Sequence, residues 1–423
     1  MKADIYQNYK FNVIVNVIDG GFFGLALGFA SFITVIPLFV SRMTDSAILI
    51  GLIPAIHQVG WQLPQLFFAE RVVRLTRYKP MVVALTIHER LPFLGLALVA
   101  FAVPVLGIKA ALYITFALLI WQGIGGGITA NPWQAMIAKI IPSDRRGTFY
   151  GFQAAMANLL ASGSAVAAGV LLTRLEYPGN YALCFFIAGL AMLISLVFIA
   201  LTRESESPQV QAISEKRSLW KNLIRILKVD KSFRWFLVIR GLSQLSVMAV
   251  AFYTVYAVRY LDMNEAVAGL MMSVFTFGQI IANPLMGWIG DRWNHPAVMK
   301  VGALSAALSA LIAWWAPSLT WFYLVFIFAG IAYVSIWTIG LAMTLQFGSE
   351  QDRPFYIGLA NTLAAPFTIA APLIGGWLAD TAGYPSTFLV SALCGLGTAL
   401  VLQLTFTKPI QRLEEEPETT NGN

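Results

Sequence analysis

Apolar residues run along this chain in blocks too long for an ordinary soluble helix, and charged residues fall almost entirely between the blocks. Gly21 to Val40 holds no charge, nor do Leu91 to Ile108, Ala110 to Ala138, Leu270 to Gly290 and Val301 to Ser349. The hydrocarbon layer of a bilayer is about 30 Å thick, so a helical run of roughly 18 or more apolar residues reads as a membrane span. The pattern predicts an all-α membrane protein with twelve transmembrane helices, near residues 12–40, 46–68, 81–106, 110–138, 147–173, 181–202, 234–260, 266–289, 297–316, 320–347, 355–379 and 386–406. The short polar N-terminus lacks a small-residue cleavage site, so the first span reads as a retained anchor.

The long polar stretch from Arg203 to Arg234 divides the spans into two six-helix bundles, 1–202 and 234–407. Between them, 203–233 starts as a flexible linker from Glu204 to Ser218. It ends with Leu219, Trp220, Leu223, Ile224 and Leu227 interleaved with Lys221, Arg225 and Lys228, the pattern of a basic amphipathic helix on a membrane surface. The tail, 408–423, is acidic from Glu414 onward and lacks apolar periodicity, so it is expected to be disordered.

Composition agrees with this pattern. Of 423 residues 58% are hydrophobic and 12% charged, about half the charge of a soluble domain. With the N-terminus in the cytoplasm, twenty-two of the twenty-eight Lys and Arg residues fall on that side. Arg42, Lys109, Arg174 and Arg259 fall outside, and Arg90 and Arg240 lie within spans. That bias orients both termini to the cytoplasm. The net charge of +7 is thereby a topology signal and calls for no nucleic-acid partner. Cys184 and Cys394 lie inside spans and read as small apolar packers.

The two halves echo each other. Val17-Ile18-Asp19-Gly20 returns as Val238-Ile239-Arg240-Gly241, and Glu70-Arg71 returns as Asp291-Arg292. Arg146, Gly151 and Gly169 return as Arg353, Gly358 and Gly376. Two six-span halves in one orientation imply a parallel duplication, which places a solute site between the halves near mid-membrane.

At the connecting loops the chain resembles the major facilitator superfamily over essentially its whole length. Gly287-Trp288-Ile289-Gly290-Asp291-Arg292, continuing to Asn294, His295 and Pro296, is similar to the family's loop signature Gly-x-Leu-Ala-Asp-Arg-x-Gly-Arg-Lys-Pro. Its carboxylate is expected to meet a helix N-terminus or a base, with the arginine completing a charge latch. The first-half copy, Ala69-Glu70-Arg71, is degenerate, although in most of the family it is the stronger one. Ser143-Asp144-Arg145-Arg146-Gly147 resembles the loop between spans four and five, and Gly375-Gly376-Trp377-Leu378-Ala379-Asp380 the outer end of span eleven. The resemblance thus assigns Glu70, Arg71, Asp144, Arg145, Arg146, Gly287, Asp291, Arg292 and Arg353 to cytoplasmic gating. The Gly-Pro-x-x-Gly-Gly-like motif that drug-exporting proton antiporters carry in span five is absent from Ala161-Ser162-Gly163-Ser164, and a near copy, Ala371 to Gly376, sits in span eleven.

Ionisable groups in hydrocarbon are costly and call for a reason. Asp19 and Arg240 occupy matched positions with opposite charge, so they are expected to pair across the two halves. Glu89 and Arg90 extend that network if the third span includes them; a span starting near Leu91 would leave them, with His88, at the surface. His57 beside Gln58, a turn from Trp61, is a carrier for a coupling proton or a structural histidine. Amides and aromatics that would line a cavity are Gln58 and Trp61 in span two, Gln122, Asn131, Trp133 and Gln134 in span four, and Gln153 and Asn158 in span five. The second half adds Gln244, Tyr253, Tyr256, Gln279, Asn283, Trp337 and Asn361. Such walls suit an organic solute, although for each residue alone an interhelical hydrogen bond is the favoured reading. The run Gly123 to Gly127 lies mid-helix, where it serves packing and not phosphate.

Nothing in the chain reads as a nucleotide loop, a metal site or an activated nucleophile, so no cofactor and no catalysis are expected and any driving energy is a gradient. The sequence therefore points to a monomeric secondary active transporter in a plasma membrane, of the bacterial inner-membrane kind. It would carry a small organic solute by alternating access with proton coupling, and its partners would be solute, protons and lipid. An uncoupled facilitator, a lipid flippase and a non-transporting solute sensor are the alternatives.

Overall fold

The computed structural model describes residues 2–44, 47–206, 219–263, 265–349 and 352–406. The expected disordered tail and most of the flexible linker lie outside the described residues. Among these residues the structure is helical, with short connections. Eleven helices among the described residues are long and apolar enough to cross a membrane. The remaining crossing, the second, is split into Ala47–Gln62 and Gln65–Val73. Pro64 sits at the break, where its missing N–H would interrupt a continuous ladder.

The first span differs from its expected bounds. Its helix runs Lys2–Phe29. The Ser31 hydroxyl then accepts the N–H groups of Ile33 and Thr34, both at 3.2 Å, and turns the chain into a separate short helix, Val35–Ser41. The third span, Lys79–Leu106, starts well before Leu91 and carries His88, Glu89 and Arg90 inside the helix. The fourth to sixth spans are Ile108–Ile140, Arg146–Arg174 and Gly179–Ala200. The seventh comprises Lys231–Ser246 and Val250–Tyr260, and the eighth and ninth are Glu265–Arg292 and His295–Trp315. The tenth holds Trp321–Val334, a π-helical turn Ser335–Ile339 and Gly340–Thr344. Arg353–Ala382 and Tyr384–Thr405 are the eleventh and twelfth.

Alternating spans place Lys2 and the connections near 74–78, 141–145, 201–206, 293–294 and 345–349 at one end, called here the terminal end. Small residues set the spacing of the helices. In the glycine run of span four, a Cβ on Gly125 would collide with the His88 carbonyl of span three, and one on Gly127 with the Gly60 carbonyl of span two.

Burial distinguishes the two ends. Away from the terminal end, each half has its own core. One holds Phe39, Phe93, Phe185 and their neighbours, and the other holds Tyr253, Phe322, Phe326 and Phe388. At the terminal end the cores are shared. Leu66 and Ala69 join a cluster with Phe236, Met343 and Leu359, while Ala342, Leu345 and Ile357 join one with Ile137, Phe149 and Tyr150. The halves are therefore welded at one end and independent at the other.

Two expectations for the linker need correction. Glu204 is anchored: its buried carboxylate accepts the N–H groups of Tyr78 at 2.9 Å and Lys79 at 2.7 Å, with Lys139 Nζ at 3.0 Å. A carboxylate at the N-terminus of the third span meets unpaired N–H groups and the positive end of the helix dipole. The amphipathic helix Leu219–Val229 does form, but Leu223 and Ile226 pack into the terminal-end core and not onto the membrane surface.

Candidate functional site

The chemistry concentrates in a cavity of about 330 Å3 at mid-height. Spans one to six form most of its wall, and Trp337, Thr338 and Leu341 of span ten close the other side. The π-helical turn carries Trp337 and Thr338 to this wall. Such single π turns are frequent at functional sites.

One side of the cavity is charged. Asp19 accepts from Arg90 Nη2 at 3.1 Å and from Ser195 Oγ at 2.5 Å. Arg90 also donates to Ser195 at 2.9 Å, and its Nη1 lies 3.6 Å from Glu89 Oε2. Thr86 reaches the same Glu89 oxygen at 3.5 Å. Asp19, Glu89 and Arg90 are all buried. Two carboxylates thus share one guanidinium, and the group carries one net negative charge unless a proton or a cation joins it.

The expected pairing of Asp19 with Arg240 does not occur. Asp19 is satisfied inside its own half by spans three and six. Arg240 donates to Asn361 Oδ1 at 3.2 Å and to the Ile336 carbonyl of the π turn at 3.4 Å. Equivalence by duplication fixes a residue's place within its half. It does not make the two copies neighbours. His57 also lies apart from this group, 3.1 Å from Gln122 Oε1 and stacked on Phe32 at 4.0 Å.

Of the expected cavity residues, Trp61, Trp133, Gln153 and Trp337 reach the wall. Others serve packing or the seal between halves. Tyr253 Oη is hydrogen-bonded to Ser309 Oγ at 3.0 Å inside the second-half core, and Tyr256 stacks with Phe322 and Tyr260. Gln244 is buried outside the wall, and Gln58 is half-buried outside it. Asn131 donates to the carbonyls of Gln65 and Pro354 at 3.1 and 2.8 Å, so it ties span four to span eleven. Asn361 donates to Gln65 Oε1 at 2.7 Å, and Gln134 lies 3.5 Å from the same oxygen. Thr338 donates to Asn283 at 2.5 Å, and Asn158 to Gln279 at 3.4 Å. Sequence reasoning missed Gln65 and Ser195, uncharged residues with no motif, and Phe23, Thr86, Thr129 and Tyr150, which also line the cavity.

Below the cavity lies the latch. Asp291 is buried and accepts the N–H groups of Gly147 at 2.8 Å and Thr148 at 2.5 Å, the first turn of span five. His295 Nε2 is 3.4 Å away. Gly147 and Gly287 let the two backbones touch: a Cβ on Gly147 would lie 2.7 Å from the Gly287 carbonyl oxygen. Arg146 crosses to the second half by donating to the Leu345 carbonyl at 3.2 Å, and it also holds Ile141 and Ala138. Arg292 does not complete a charge pair with Asp291. Its guanidinium lies 4.2 Å over the Trp288 ring. In the degenerate first-half copy, Glu70 pairs with Arg74 on the surface at 2.5 Å, and Arg71 lies over Phe68. Asp144 and Arg145 are exposed, 3.8 Å apart, and Arg353 opens span eleven.

Comparison with known proteins agrees with this architecture. The family model of the Major Facilitator Superfamily matches residues 85–260 and 240–422. The chain is 26% identical over 278 residues to the hexose-6-phosphate:phosphate antiporter of Escherichia coli K12, covering 56% of this chain and 57% of that one. It is 25% identical over 146 residues to the class H tetracycline resistance protein of Pasteurella multocida, 34% of this chain and 36% of that one. The matches thus span about a third to somewhat over half of these relatives' lengths. In fold, the crystal structure of the Escherichia coli fucose:proton symporter superposes with a TM-score of 0.76 at 16% identity, over 94% of this chain and 99% of that one. With most of its length matched by the family model, the chain belongs to the Major Facilitator Superfamily and is an integral membrane protein.

Proposed function

We propose that this transporter moves a small organic solute by alternating access, with a proton as the coupling ion. The observation that supports this reading is the placement of a charged, aromatic cavity between the halves, directly above a shared core and latch at one end only. The excess of Lys and Arg at the terminal end assigns that end to the cytoplasm, so this conformation is sealed inward. A bacterial inner membrane is the setting, with the two six-span halves as the rocking units. The relatives named above handle a sugar phosphate or confer resistance to an organic antibiotic, which accords with an organic solute.

Coupling follows from the charge count. With Asp19 held by Arg90 and Ser195, Glu89 is the carboxylate left to exchange its charge, and protonating it makes the group neutral. A neutral group crosses the apolar, rearranging interface at lower cost than a charged one. The test is solute flux in vesicles reconstituted with the purified protein, with and without an imposed proton gradient. Gradient-driven accumulation that Glu89→Gln abolishes is the expected result. Accumulation unaffected by Glu89→Gln would remove Glu89 from coupling, and equal flux with and without the gradient would make the protein a facilitator.

A further inference from the structure

The cavity wall is selective in what it offers. Its aromatic residues are Phe23, Trp61, Trp133, Tyr150 and Trp337, and its remaining apolar wall is small or aliphatic, such as Gly126, Ala130 and Ala157. Apart from the Tyr150 hydroxyl, its uncharged polar side chains Thr86, Thr129, Gln153 and Thr338 are already engaged inside the protein. Gln153 donates to the Asn16 carbonyl at 2.9 Å, Thr129 to the Gly125 carbonyl at 2.8 Å, and Thr338 to Asn283. A polyol would find few free partners there. An anion would meet a guanidinium already shared by two carboxylates, in a group of net negative charge.

The two carboxylates are not equivalent. Asp19 is held by short bonds to Ser195 and Arg90, whereas the contacts of Glu89 are 3.5 and 3.6 Å. Glu89 also stands beside the indole of Trp61. A Cβ on Gly126 would lie 2.8 Å from Glu89 Oε1 and 3.3 Å from Trp61 Cδ1. Tyr150, another wall residue, keeps a buried hydroxyl with no hydrogen-bond partner. Aromatic faces attract a cation through their quadrupoles, most strongly when the site is dry.

We propose that the solute is a monovalent organic cation with an apolar, aromatic body, held among Trp61, Trp133 and Trp337 with Glu89 as its counter-charge. The inference rests on the transport reading above and narrows it to one substrate class. Cation and proton then compete for one carboxylate. The charged or titratable groups facing Glu89 are Arg90 on its own span, Asp19 on span one and Tyr150 on span five, while spans four, six and ten bring Gly126, Ser195 and Trp337. His88, next in sequence, is engaged instead by Trp121 at 3.2 Å.

The experiment measures equilibrium binding of tetraphenylphosphonium and its anionic isostere tetraphenylborate to the full chain in lipid nanodiscs, with empty nanodiscs subtracted. The proposal expects saturable binding of the cation alone, weakened about ten-fold or more by Glu89→Gln and by Trp61→Ala. In the wild-type protein the cation should be displaced as the pH falls from about 8 to about 5. Should Glu89→Gln fail to fold, the isostere comparison and pH displacement in the unmodified protein carry the test. Saturable binding of tetraphenylborate, no cation binding above empty nanodiscs, or cation binding indifferent to Glu89 and pH would each overturn the proposal. Flux assays keep the two readings apart. Transport of a sugar or organic anion with the cation ignored would sink the substrate class and keep the transporter. Saturable cation binding without flux of any solute would do the reverse.

Discussion

Replacing Asp291 with asparagine isolates the latch between the halves. The wild-type carboxylate accepts two backbone N–H groups from the first turn of span five, Gly147 at 2.8 Å and Thr148 at 2.5 Å, in a buried position. Hydrogen bonds to charged groups contribute about 1.5–3 kcal/mol each, and a charge at a partly buried helix end adds up to about 2 kcal/mol. Asparagine keeps one acceptor and turns an amide NH2 toward the other N–H, so one bond and the charge are lost. Taking about 2 kcal/mol as the net loss, the balance between closed and open terminal end shifts roughly 30-fold, at 1.4 kcal/mol per tenfold. The readout is a cysteine at Ala342, 1% exposed in the shared core, with Cys184 and Cys394 replaced. While the open state is rare, its reaction with a water-soluble maleimide follows the open population. Asp291→Asn should speed that reaction about 30-fold. An unchanged rate in a folded variant would refute the latch.

Other outcomes follow from the same geometry. Asp19→Asn removes the shorter of the two ion pairs of Arg90, 3.1 Å against 3.6 Å to Glu89, and should lower the melting temperature. A thermal-melt cycle should show strong coupling of Asp19 with Arg90 and additivity of Asp19 with Arg240. Gly24→Ala should lower folded yield on size exclusion, because its Cβ would strike the Ala157 carbonyl, whereas Gly163→Ala should be neutral, since nothing lies within 4 Å. A reporter fused after Glu206 should read cytoplasmic, and one inserted at Ser318 should read external. The reverse would invert the proposed orientation.

Much of the fold is legible in the chain because hydrocarbon thickness imposes a length on every span, and twelve such lengths sort into two sets of six. The breaks are less legible. Pro64 is visible as a helix breaker, but nothing in Ser335-Ile336-Trp337-Thr338-Ile339 announces a π turn, whose Ile336 carbonyl accepts from the distant Arg240. The charged group was half visible. Asp19, Glu89 and Arg90 stand out as charges in hydrocarbon, yet their pairing depends on helix rotation, which a single sequence states weakly. Residue type alone also does not separate cavity from seal. Trp61 and Trp337 line the cavity while Asn131 and Asn361 join the halves, and only depth and facing direction distinguish them.

Alternating access itself is tested most directly by paired spin-label distances in the purified protein. One pair, at Lys109 and Ser318, spans the halves at the end with separate cores, and the other, at Arg74 and Trp293, spans them at the terminal end; all four positions are exposed. Adding transported solute or changing the pH should shorten the first distance and lengthen the second in the same fraction of molecules. Distances that stay fixed while flux proceeds, or that lengthen together, would contradict the account.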